Sequence, residues 1–192
     1  MKRLSYLMGM PLLAIDKGEK VGELCEGYLN TQEHSIGGFI LKKGTIITQP
    51  FGVFPNQVNV GESAIVLKEK EQPQVLDLPQ HCFPYTKIKE KPIYTKNGEN
   101  LGNIQDILFL KENGKILGFE VSDGIINDIL NGRGIIPVPS STIYGKDTIV
   151  VPNEVIDMAN KQLALEDLKI HLENLDKNTS LDNNSWDTVE QY

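Results

Sequence analysis

Cysteine, tryptophan and histidine are scarce in this chain: its 192 residues hold two, one and three of them. Cys25 and Cys82 stand far apart at unrelated points, so no disulfide framework is legible and a reducing compartment suits the chain. His34, His81 and His171 have no partner at metal-ligand spacing, and the adjacent pair His81-Cys82 is poor geometry for one ion. Neither a metal nor a cofactor is expected. A Cys/His nucleophile would also need an orienting third group. Cys25 reads instead as a small apolar core residue. Positive charge is short too: 19 Lys+Arg face 26 Asp+Glu, a formal net charge of −7. That balance repels a phosphate backbone on average and disfavours direct nucleic-acid binding. No apolar run approaches the ~18 residues of a membrane span. Lys2 and Arg3 do precede an apolar stretch, 4–15, broken by Gly9 and Pro11. It runs into Asp16-Lys17-Gly18-Glu19 with no small-residue cleavage site, so no signal peptide is expected and the reading is cytoplasmic.

What the chain does have is a repeat. Gly18-Glu19-Lys20-Val21-Gly22-Glu23-Leu24 returns as Gly98-Glu99-Asn100-Leu101-Gly102-Asn103-Ile104, and Ile36, Gly38 and Phe39 meet Ile116, Gly118 and Phe119 (98 − 18 = 118 − 38 = 80). Repeats of this kind set architecture before any other reading. The fold class expected is mainly all-β: two tandem small β-barrels, a short helix inserted in the second, then a C-terminal helix and a tail. Their bounds are 1–69 for the first barrel, 70–88 for a charged, proline-punctuated linker and 89–153 for the second barrel. A helix at 154–175 and a disordered tail at 176–192 follow. Expected strands lie at 11–15, 21–30, 36–41, 51–54 and 64–67, then 92–96, 101–110, 116–122, 135–138 and 148–151. Gly18 should supply a positive φ in a hairpin turn. A bulge is expected near Gly27, and Phe39 and Phe119 should both be core. Single units this small are marginal, so the two should pack together. Leu165, Leu168, Leu172 and Leu175 share one helical face, for packing on the barrels or for a short coiled coil.

Pro11-Leu12-Leu13, Gly18 to Glu23, Gly38-Phe39-Ile40-Leu41, Phe54-Pro55 and Ala64-Ile65-Val66-Leu67 together resemble a PRC-barrel domain. The order of these motifs, met twice between Leu4 and Val151, is similar to stand-alone bacterial proteins with two such barrels. The resemblance implies a small β-barrel serving as a docking and assembly surface, with no shared catalytic motif and no site residues to carry over.

Residues with candidate chemistry are few. Gly18 to Gly22 is too short for a phosphate loop and lacks Lys-Ser/Thr before a helix. The largest asymmetry between the repeats is 123–134, where Ile125, Ile126, Ile129 and Leu130 fall on one helical face between Asp123 and Gly132. That stripe should either plug the barrel or form a dimer or partner contact. Arg133, between two glycines, either binds a phosphate or carboxylate or is a solvated residue at a capped helix end. The functional expectation is a non-catalytic protein-interaction module with an unidentified protein partner, homo-oligomerisation left open. The alternative is a ribosome-assembly or RNA-processing accessory, by analogy with the barrel of the ribosome maturation factor. The acidic balance and the lack of a basic-aromatic patch weigh against it.

Overall fold

A computed structural model describes residues 1–42, 50–122 and 134–160. The first half carries β1 (Lys2–Arg3), α1 (Leu4–Leu7), β2 (Pro11–Ala14), β3 (Glu19–Asn30), β4 (Ser35–Lys42), β5 (Phe51–Val53), β6 (Val58–Val60), β7 (Ile65–Leu67) and β8 (Gln74–Val75). The second carries β9 (Cys82–Pro84), α2 (Tyr85–Ile88), β10 (Pro92–Thr95), β11 (Asn100–Phe109), β12 (Ile116–Ser122), β13 (Gly134–Pro137), β14 (Ile143–Tyr144), β15 (Ile149–Val151) and α3 (Val155–Asn160). The protein is mainly β, with the strands curled as a half-barrel.

One sheet runs β6-β7-β2-β3-β4-β5-β8 and the other β13-β12-β11-β10-β15-β14. Each is built around a long strand joined by hairpins to both neighbours, and each closes by a parallel pairing. Leu12 lies beside Ile65 in the first sheet, as Ile93 lies beside Ile149 in the second. The repeat extends to the irregularities. Register shifts fall between Leu24 and Glu26 and between Tyr28 and Leu29 on β3, and between Ile104 and Asp106 and between Leu108 and Phe109 on β11. A bulge re-aims one side chain and tightens the twist, so matched bulges give the two sheets matched curvature. Gly18 and Gly98 both hold the positive φ that their turns require, +64° and +84°.

Each half begins with a short leader that pairs with the other half. β1 sets Lys2 opposite Phe109 and Arg3 opposite Leu108 on β11, while β9 sets Phe83 opposite Leu29 and Pro84 opposite Tyr28 on β3. Both leaders turn at once into one helical turn, α1 or α2, whose first and last residues (Leu4 and Leu7, Tyr85 and Ile88) are buried. A single turn this short has no stability of its own; apolar positions three apart hold it against the sheets.

The core is one cluster drawn from both sheets, including Leu4, Leu12, Phe39, Ile93, Phe109 and Phe119. Phe39 and Phe119 are 1% and 0% exposed, and Phe39 packs on Phe109 of the other half at 6.5 Å between ring centroids. Several sequence-based expectations change. The 70–88 stretch, read as a linker, carries β8, β9 and α2, each placed by pairing or packing. Its charged side chains are exposed, and Pro84 ends the short strand β9 opposite Tyr28. The segment after Pro55 is a 3-10 turn (Pro55–Gln57) and the strand β6, with β14 its counterpart. Cys25 is half-buried rather than core, because it falls in the bulge between Leu24 and Glu26. The helix expected at 154–175 is described as α3, packed on β13 through Val155 and Met158. Residues 161–192 lie outside the described residues.

Candidate functional site

The leaders exchange more than backbone pairing. Ser5, at the start of α1, donates from its backbone N to Asp106 Oδ1 at 3.1 Å and from its hydroxyl to Asp106 Oδ2. Thr86, the second residue of α2, donates its hydroxyl to Glu26 Oε2 at 2.6 Å. Asp106 and Glu26 are themselves equivalent (106 − 26 = 80), and each also accepts from the next backbone N–H, of Ile107 at 2.8 Å and Gly27 at 3.0 Å. The bulge at each position allows this, since it frees one N–H from the ladder.

The symmetry breaks one strand over. Glu120 on β12 sits in register with Asp106 and is 2% exposed, whereas its equivalent Ile40 is an apolar core residue. Arg3 meets Glu120 with two bonds, Nε to Oε2 at 2.6 Å and Nη2 to Oε1 at 3.2 Å. The equivalent of Arg3 in the other leader is Pro84. The hydrogen bond and charge of Glu120 push the Arg3 guanidinium still higher than usual, fixing its positive charge. Burial, together with Asp106, likewise pushes the Tyr85 phenol up. Tyr85 donates to the Gln105 carbonyl at 3.3 Å.

Arg3 and Glu120 stand in a cleft of about 320 Å³ lined also by Met1, Lys2, Tyr6, Glu62, Leu108 and Ile135. Lys2 Nζ pairs with Glu62 at 2.6 Å and lies 5.4 Å from the Tyr6 ring centroid. The Arg3 side chain is 56% exposed although its partner's is 3% exposed, so the cation faces the opening and the anion lies behind it. Leu108 supplies a buried apolar wall, and the Tyr6 ring is largely exposed at the rim.

Most residues singled out from the sequence lie elsewhere. Ile125, Ile126, Ile129, Leu130 and Arg133 are outside the described residues, as is His171. His34 lies in the β3–β4 turn, with Nδ1 3.3 Å from Tyr144 Oη and Nε2 3.1 Å from the Ser140 carbonyl. His81 offers its carbonyl to Thr31. Cys25 and Cys82 are free thiols pushed up chiefly by burial. Among the described residues, no group of three or more His, Cys, Asp or Glu could hold a metal ion. Sequence reading passed over Asp106 and Glu120. A signal existed: Glu120 interrupts an otherwise apolar run, Ile116-Leu117-Gly118-Phe119-Glu120-Val121.

Residues 82–156 match the family model of the PRC-barrel domain. The chain is also similar to a protein of Bacillus subtilis (strain 168) named "Uncharacterized protein YrrD", 32% identical over 87 residues, or 45% of this chain and 50% of that protein. It thus spans about half the length of this curated relative. The matched region begins at β9, so the leader belongs to the unit it precedes. Among the described residues, no helix is long and apolar enough to cross a membrane.

Proposed function

We propose that the chain is a non-catalytic protein-interaction module of two tandem PRC-barrel units, the first over about residues 1–69, acting in the cytoplasm. The observation that carries this reading is the use made of the buried carboxylates. Asp106 and Glu120 accept bonds from the opposite leader and so hold the two halves together. A general acid or base would instead need a carboxylate free to exchange a proton with substrate, whereas Asp106 is buried under the Ser5 bonds and Glu120 is held by Arg3. The matched hydroxyl bonds of Ser5 to Asp106 and Thr86 to Glu26 support a second unit in the first half.

The sequence stripe Ile125, Ile126, Ile129 and Leu130, with Arg133 beside it, is the candidate contact. Affinity capture with in-cell crosslinking, repeated after nuclease treatment, tests the reading. A protein partner retained after nuclease and lost with Ile129→Asp, at unchanged melting temperature, supports it. Capture that depends on nucleic acid, or turnover by the purified chain, overturns it.

A further inference from the structure

The ion pair between Arg3 and Glu120 is not something the fold requires. At the two equivalent positions the first half has Pro84 and Ile40, and Ile40 is buried. At the neighbouring position the halves do match, each with a carboxylate receiving a leader hydroxyl and the next backbone N–H. Burying a carboxylate is costly, and an apolar residue of similar size in place of a buried ion pair is commonly neutral or stabilising. The exception therefore needs a use, and its geometry indicates one. Glu120 takes the Nε–Nη2 side of the guanidinium, which leaves Nη1 outside both bonds and the side chain more than half exposed to the cleft. A planar cation held from behind is a pre-organised receiver for a planar anion, since little rotamer entropy remains to be lost on binding. Beside it stand the buried wall of Leu108, Ile135 and the exposed Tyr6 ring. At about 320 Å³ the cleft suits a small ligand or the end of a peptide.

We infer that this cleft binds a carboxylate carried next to an apolar group, the carboxylate on Arg3 and the apolar group between Leu108, Ile135 and Tyr6. The carboxylate comes from a small organic acid or from a peptide C-terminus. This assignment stands apart from the assembly reading, because it uses no residue of the proposed partner contact.

The test is titration of the full chain by NMR with N-acetyl-leucine, N-acetyl-leucine amide and acetyl-Ala-Ala-Leu. The free acid should shift Arg3, Leu108 and Ile135, and the amide should bind about tenfold more weakly or not at all. A tripeptide bound at least about tenfold more tightly than the single residue assigns the source as a peptide end, and equal binding assigns a small acid. Tyr6→Ala, at an exposed position, should weaken the acid several-fold. Arg3→Met/Glu120→Ile copies the apolar junction of the other half, so it should stay folded and lose the acid. Equal binding of acid and amide, no binding of either, or binding unchanged in the folded double variant overturns the assignment.

Discussion

Ser35 and Lys115, eighty residues apart (115 − 35 = 80), pair with each other in an isolated antiparallel bridge. They are equivalent positions of the repeat, so the bridge is a contact of one site with its own copy, as on the axis of a two-fold dimer. Ile36 N donates to Gly114 O and Ile116 N donates to His34 O, both at 2.8 Å, which are the same bond seen from either side. His34 and Gly114 each take a left-handed φ, +48° and +76°. The chain is therefore a covalent counterpart of a two-fold dimer with exchanged leaders.

The matched hydroxyls should not contribute equally. Asp106 is 5% exposed, while Glu26 is only half-buried and better able to recover a water. Ser5→Ala should cost about 1.5–3 kcal/mol and Thr86→Ala about 1 kcal/mol or less. Denaturant midpoints compare them; a larger loss for Thr86→Ala would contradict the burial argument.

Phe39→Ala and Phe119→Ala should each cost about 3–5 kcal/mol, because both rings fill a core shared by the halves. Unfolding should remain a single transition seen alike by near-UV and far-UV circular dichroism. Two separated transitions would mean that the halves fold independently.

Arg3→Met should destabilise by about 2–3 kcal/mol, since two charge-assisted bonds to a buried carboxylate are lost. Adding Glu120→Ile should recover most of that loss, since the first half buries an isoleucine at the equivalent position. A double variant no more stable than Arg3→Met would show that the carboxylate has a further structural role.

Alkaline stability should report Tyr85. Burial raises its folded value, so the unfolded chain releases the phenol proton first, near the usual tyrosine pKa of about 10. Its contribution is complete below that pH and declines as pH rises above it. Tyr144, also raised by burial, adds to the same decline. Tyr85→Phe should lower stability at pH 8 by about 1 kcal/mol and flatten the fall toward pH 11. Urea midpoints across that range decide it, and an unchanged slope would rule Tyr85 out.

The spacing of glycines and apolar residues determined a great deal. Gly18 and Gly98, Phe39 and Phe119, and the strands around them repeat at one offset because turns and core positions are set by short-range backbone and side-chain demands. The leaders were another matter. Lys2–Arg3 reads as a charged start and Cys82–Pro84 as the end of a linker, and each finds its ladder in the opposite half. Their strands exist because β11 and β3 offer open backbone groups across the two-fold relation, which local pattern does not encode. The cleft is decided the same way. Arg3 and Glu120 are 117 residues apart, and only the exchange of leaders brings the cation to the carboxylate.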